Sequence, residues 1–102
     1  MPEYKAGRLA VSRAGHDQGR LYIVVGEEGE SCMLSDGRLK PLSGPKKKKK
    51  THFQIGPETE LASLFGKGET VRDEDIRRVL KAAAKAGFGA DGRNSNIIDQ
   101  ED

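Results

Sequence analysis

Residues 7–24 read Gly-Arg-Leu-Ala-Val-Ser-Arg-Ala-Gly-His-Asp-Gln-Gly-Arg-Leu-Tyr-Ile-Val, and they decide the fold that we predict for this chain. Residues 8–12 and 21–25 contain no proline and are rich in residues that favour β-strands. The loop between them has Gly15 and Gly19 near its ends, where the backbone can adopt φ > 0 without a steric penalty. Asp17, between these glycines, could accept hydrogen bonds from the loop's own amides. The stretch predicts two strands joined by a tight loop.

The alternation of apolar residues in these two strands predicts a shared interior. Successive side chains of a strand point to opposite faces, so residues two apart lie on the same face. We expect the interior face to carry Leu9, Val11, Tyr22 and Val24.

Further strands follow along the chain. Residues 31–35 form a predicted third strand and residues 38–42 a fourth, with Asp36-Gly37 between them as a two-residue hairpin turn. Residues 51–55 form a predicted fifth strand. Short strands at this spacing favour a barrel, because closure removes the exposed edges of a sheet. We therefore predict a mainly β fold, a small barrel of about five strands.

The second half of the chain predicts one helix. In residues 70–86 the apolar side chains recur at helical spacing, at Ile76, Val79, Leu80 and Ala83. This organisation predicts a barrel over residues 1–56, which includes the basic run 46–50, and a linker over 57–69. The amphipathic helix then occupies 70–87 and a disordered tail 88–102.

Composition excludes several classes of function. The chain has 102 residues, 34% of them hydrophobic, and a single cysteine, Cys32, so neither an internal disulfide nor a cysteine-based zinc site can form. No apolar run approaches the roughly 20 residues of a membrane span. The N-terminus carries no apolar segment typical of a secretory signal. We expect a cytoplasmic protein, with Cys32 packed as a small apolar residue.

Charge is distributed unevenly between the two halves. Residues 1–50 contain eleven Lys/Arg and six Asp/Glu, whereas residues 51–102 contain seven and ten. The basic half ends in five consecutive lysines, residues 46–50. Such a run is typical of a segment that binds nucleic-acid phosphates, although a solvated linker has the same composition.

Residues 7–24 resemble the KOW motif, which occurs in SH3-like barrels of large-subunit ribosomal proteins and NusG-type elongation factors. The resemblance rests on Gly7, on the Gly15-His16-Asp17-Gln18-Gly19 loop and on the strands either side. Asp36-Gly37-Arg38, Pro45, the lysine run and His52-Phe53 extend it to a group of short bacterial KOW proteins. Ala10 departs from the pattern, since a larger residue is common there, and we expect it to face outward.

The resemblance implies RNA binding in connection with ribosomes. Ribosomal RNA is the first expected partner and ribosomal proteins the second, with no membrane, cofactor, metal or small-molecule substrate. The loop residues Gly15, Asp17 and Gly19 are expected to shape the motif, and Tyr22 and Phe53 to pack in the core. The predicted RNA contacts are Arg13, His16, Arg20, Arg38, Lys40, Lys46, Lys47, Lys48, Lys49, Lys50 and His52.

Two other functions can be weighed against RNA binding. A protein–protein adaptor would use the barrel and the apolar face of the helix as docking surfaces, provided that this face does not pack against the barrel. An enzyme is not expected. The glutamates at 27, 28 and 30 have no His or Cys base nearby in sequence, and residues 66–70 lack the spacing of a phosphate-binding loop.

Overall fold

The computed structural model describes residues 3–89, which form a five-stranded antiparallel sheet and two helices. The strands are β1 (Arg8–Ser12), β2 (Leu21–Glu28), β3 (Ser31–Ser35), β4 (Lys46–Lys49) and β5 (Phe53–Glu58). The helices are α1 (Leu61–Gly66) and α2 (Asp73–Lys85). The sheet order is β4-β3-β2-β1-β5. The prediction of a mainly β fold with about five strands and a C-terminal helix is confirmed.

The predicted fourth strand is wrong. Residues 38–42 form a turn, and the lysine run instead pairs with β3, from Leu34 opposite Lys46 to Ser31 opposite Lys49. Two features keep residues 38–42 out of the sheet. The Asp36 carboxylate accepts hydrogen bonds from the backbone N–H groups of Arg38 and Lys40, both at 2.9 Å. Pro41 has no N–H to donate to a strand partner.

The sheet is strongly curled. Strands β4 and β5 lie at its opposite edges, yet only a single 3-10 turn, Lys50–His52, separates them in the chain. The four residue steps from Lys49 to Phe53 span at most about 14 Å. The edges of a flat five-stranded sheet would lie about 19 Å apart. The two edges must therefore bend toward each other.

The two faces of the sheet bury different apolar clusters. One contains Leu9, Ile23, Leu61, Ile76, Val79 and Leu80, and the other contains Ala10, Tyr22, Val24, Cys32, Leu34 and Phe53. The predicted interior is therefore wrong in part, because Leu9 packs with Ile23 on the face opposite Tyr22 and Val24. The register, with Ala10 opposite Tyr22, places Ala10 in the second cluster, where it is fully buried. A large residue there would collide with the core, whereas alanine fits.

Helix α2 packs against the sheet through its apolar side. Ile76, Val79 and Leu80 are buried beside Leu9 and Ile23. The helix begins at Asp73, three residues later than predicted. The Asp75 carboxylate accepts a hydrogen bond from the Arg72 N–H at 2.9 Å, which satisfies one of the amides preceding the first turn.

The predicted linker can be compared with the structure, but most of the predicted tail cannot. Residues 57–69 include α1, whose Leu61 is buried in the same cluster as α2. Most of the predicted tail, residues 90–102, lies outside the described residues. No helix within residues 3–89 is long and apolar enough to span a membrane.

Candidate nucleic-acid interface

The loop between β1 and β2 is organised around the carboxylate of Asp17, which is only 11% exposed. One carboxylate oxygen accepts hydrogen bonds from Ser12 Oγ at 2.8 Å and Lys48 Nζ at 3.0 Å. The other accepts them from Tyr22 Oη at 2.7 Å and Lys46 Nζ at 2.8 Å. We call these five residues the Asp17 cluster. It joins the loop to β1, β2 and β4, so Asp17 fixes the loop through side chains rather than through the loop amides that we predicted.

The cluster holds Asp17 in its ionised form. Burial by itself disfavours the charge, but the hydrogen bonds from Lys46, Tyr22, Lys48 and Ser12 outweigh it and lower the pKa of Asp17 far below its ordinary value. Burial and the adjacent Asp17 carboxylate raise the pKa of Tyr22. A negative Asp17 therefore faces the neutral phenol of Tyr22 and the side chains of Lys46 and Lys48.

The glycines of the loop allow the turn that brings Asp17 inward. Gly15 and Gly19 have φ of 87° and 90°. Backbone hydrogen bonds from Gln18 N to Gly15 O (3.2 Å) and from Arg20 N to Asp17 O (2.8 Å) close the turn. The Lys48 ammonium also donates to Ala14 O at 3.1 Å. The loop is thus fastened from inside, while His16 and Arg20 are exposed to solvent.

The lysine run alternates between two faces, as a strand must. Lys46 and Lys48 point inward to Asp17. Lys47 points outward and pairs with Glu28 at 3.2 Å. Just past the strand, Lys50 pairs with Glu27 and lies 4.5 Å from the centre of the Tyr4 ring. Within residues 3–89 only Lys49 of this run has no carboxylate within 4.0 Å.

A second group of cations surrounds a cleft of about 900 Å³ between the loop, the turn after β3 and helix α2. Its floor includes Leu21, Leu80 and Ala84. Five of its lining residues are Arg or Lys and two are Asp. We call this site the loop–helix cleft; its charged and titratable lining residues are His16, Asp17, Arg20, Asp36, Arg38, Arg77, Arg78 and Lys81.

Within the described part of the chain, three of the five cations of the loop–helix cleft have no carboxylate partner. Arg20 is 3.7 Å from Asp36, and Arg78 pairs with Asp75 and Glu60. Arg77 donates to the Gly37 carbonyl at 2.6 Å, a bond that leaves its charge uncompensated. Among the described residues, no carboxylate lies within 4.0 Å of the cationic groups of Arg38, Arg77 or Lys81. The cleft can therefore attract a polyanion.

The turn after β3 is held rigidly against α2. Gly37 has a φ of 73°, and a Cβ atom there would lie 2.5 Å from the Asp73 carbonyl oxygen, so only glycine allows this close approach. The Ser35 hydroxyl donates to Lys40 O at 2.8 Å and accepts from Gly37 N at 3.1 Å. Asp73 accepts a hydrogen bond from Leu42 N at 2.8 Å. Arg38 and Lys40 are thus presented to solvent on a fixed backbone.

The remaining predicted contacts lie away from this cleft. Arg13 lies beside β5, where its guanidinium donates to Gln54 at 2.7 Å and its N–H donates to His52 O at 2.8 Å. Arg13 and Gln54 line a smaller hollow whose wall, Gln18 and Gly19, also borders the loop–helix cleft. His52 is exposed. The structure therefore brings His16, Arg20 and Arg38 together, and places Arg13 on the other side of the loop.

Three cleft residues were missed by sequence reasoning: Arg77, Arg78 and Lys81. The available signal was the i, i+4 spacing of Arg77 and Lys81, which places both on one side of a helix, next to the buried Ile76 and Leu80. Nothing in the sequence indicated that this side would face the loop.

No protein-family model matches this chain, and no curated protein is significantly similar to it. Within residues 3–89 there is also no group of three or more His, Cys, Asp or Glu side chains placed to hold a metal ion.

Proposed function

We propose that this protein binds RNA through the loop–helix cleft, on an SH3-like barrel of the KOW type. The barrel is supported by the strand order, in which β4 and β5 are the edges, and by the short turn that draws those edges together. The KOW type is supported by the resemblance of residues 7–24 and by the glycine-bounded loop that residues 15–19 form.

The observation that carries the proposal is the uncompensated charge of the cleft. Arg38, Arg77 and Lys81 come from a turn and a helix that are distant in sequence, yet they line one surface. Phosphates spaced along a nucleic-acid backbone suit such an array, and each phosphate bound by Lys or Arg releases counterions. Arg20 and His16 extend the surface onto the loop, where arginine can contact phosphates or stack on a base.

The lysine strand, which is β4 together with the adjoining Lys50, contributes to this proposal in two ways. Lys46 and Lys48 hold the loop in place from inside and act as positioning residues. Lys47 and Lys49 face outward, and Lys50 lies just past the strand beside the Tyr4 ring. Glu28 and Glu27 pair with Lys47 and Lys50, which reduces the positive potential around these lysines. They would make secondary phosphate contacts at most.

An adaptor role finds less support. The apolar face of α2, which would serve as the docking surface, is buried against the sheet at Ile76, Val79 and Leu80. A protein partner would need another surface.

Ribosomal RNA is the proposed target, which places the protein in the cytoplasm with ribosomes. The test is sedimentation of the tagged protein from lysate through a sucrose gradient at low and high salt. We expect co-migration with large subunits at low salt and loss at high salt, since phosphate contacts weaken with ionic strength. The Arg77→Gln/Lys81→Gln variant should stay at the top of both gradients. Wild-type protein that remains at the top at low salt would contradict ribosome binding.

A further inference from the structure

Leu39 occupies an unusual position at the tip of the turn after β3. Its side chain is 66% exposed, more than any other large apolar residue described in the structure. Its neighbours Arg38 and Lys40 are both exposed cations. Among the described residues, neither has a carboxylate within 4.0 Å. An apolar side chain is therefore presented to solvent between two unpaired positive charges.

This exposure does not result from a loose loop. The Asp36 carboxylate binds the amides on both sides of Leu39, at Arg38 and Lys40. The Ser35 hydroxyl bonds to Lys40 O, and the Arg77 guanidinium fastens Gly37 O to α2. The turn is thus fixed before any ligand binds, and a preorganised contact loses little conformational entropy on binding.

The apolar side chain of Leu39 and the two flanking cations indicate which kind of ligand the turn can bind. A partner that matches it must place an apolar surface between two anionic groups. An unpaired nucleotide has this pattern, since its flat base lies between two backbone phosphates. Apolar side chains such as leucine insert at unstacked base steps in other nucleic-acid complexes, and RNA-binding proteins prefer bases that are already unpaired.

We infer that Leu39 contacts an unpaired base of the bound RNA, while Arg38 and Lys40 bind the phosphates on either side. The turn would then give the protein a preference for bulges, loops or helix ends, and the cleft would supply affinity that is independent of sequence. This inference rests on the proposed RNA binding and adds the class of RNA that the site selects.

The experiment measures the affinity of the full-length protein for two labelled RNAs by fluorescence anisotropy. One is a duplex of about 16 base pairs, the span of double-stranded RNA-binding domains, and the other is the same duplex with a short bulge of about three nucleotides. The central bulge nucleotide is 2-aminopurine, whose fluorescence reports stacking. Variants are Leu39→Ala, Leu39→Met and, as a second apolar control, Phe88→Ala; Phe88 is 37% exposed and Leu39 66%. Circular dichroism checks that each variant is folded.

We expect wild-type protein to prefer the bulged RNA. Leu39→Ala should weaken binding to it about tenfold, as loss of one buried leucine contact implies, and leave duplex affinity unchanged. Leu39→Met should retain the preference, and Phe88→Ala should behave as wild type. Leu39→Ala with unchanged affinity for both RNAs, or with equal losses on both, would overturn the inference alone. Wild-type protein that binds neither RNA would overturn the proposed function as well.

Discussion

The lysine strand and the loop–helix cleft carry similar numbers of cations, but they differ in what surrounds those cations. Of the five lysines at 46–50, four have a carboxylate partner within the described residues, either Asp17 inside or Glu27 and Glu28 outside. The cleft also has five, of which Arg38, Arg77 and Lys81 have no carboxylate partner among residues 3–89. A sequence shows how many charged residues a segment contains. Whether they form a binding surface depends on the opposite charges that folding places beside them.

The largest effect on stability is expected when the Asp17 carboxylate, which binds the inward lysines, is removed. Asp17→Ala leaves Lys48, which is 9% exposed, and Lys46 without their shared partner. An unpaired buried charge is costly, and we expect the free energy of unfolding to fall by about 3 kcal/mol. The measurement is urea unfolding at neutral pH. Glu28→Gln breaks the exposed pair with Lys47, the neighbour of Lys46 and Lys48 on β4, and should cost at most about 0.5 kcal/mol.

Acid unfolding of a second variant, Asp17→Asn, tests the mechanism. Because the fold lowers the pKa of Asp17 from its ordinary 3.8, ionised Asp17 adds stability that is complete above about pH 4 and is lost as the pH falls below it. Wild-type protein should lose stability in this range, and Asp17→Asn should lose less. Asp75, whose pKa is lowered by hydrogen bonds from Arg72 and Arg78, leaves a residual slope. Parallel curves for the two proteins would refute the role of Asp17.

A smaller effect should follow the alternation of the lysine strand. Lys48→Met keeps most of the aliphatic stem and removes an inward charge, while Asp17 retains Lys46, Tyr22 and Ser12 as donors. We expect a loss of about 1 kcal/mol in urea unfolding. Lys47→Met removes an outward charge and should change stability by less than about 0.5 kcal/mol. Equal effects of the two substitutions would show that the run does not divide between inside and outside.

The parts of the fold that the sequence predicted are those determined by local pattern. Strands β1, β2 and β3 and helix α2 follow from alternation or helical spacing within a few residues. The fourth strand was misplaced because Asp36-Gly37 has the composition of a hairpin turn. Its φ > 0 glycine serves instead to dock the turn on α2, a contact between segments about 40 residues apart. Lysine also has low β-propensity, and two of the four lysines of β4, Lys46 and Lys48, lie in the strand as partners of Asp17.

Only the loop and turn residues of the loop–helix cleft were predicted from the sequence, and the residues from helix α2 were not. His16, Arg20 and Arg38 lie on or beside the motif, so the resemblance included them. Arg77 and Lys81 required knowledge of how α2 rotates on the sheet, which the burial of Ile76 and Leu80 decides. Lys46 and Lys48 had been predicted as RNA contacts, but their inward direction depends on strand register.

The most direct test of the central claim compares the salt dependence of RNA binding for two double variants. Arg38→Gln/Lys81→Gln removes two of the five cations of the cleft, and Lys47→Gln/Lys49→Gln removes the two outward lysines of β4. Both leave the Asp17 cluster intact. We measure the dissociation constant for the bulged RNA over a range of KCl concentrations and take the slope of log affinity against log salt. The cleft variant should flatten this slope by about 1.5, the value for two lost phosphate contacts, and the strand variant should leave it nearly unchanged. The reverse result would place the RNA on the lysine strand and contradict our account.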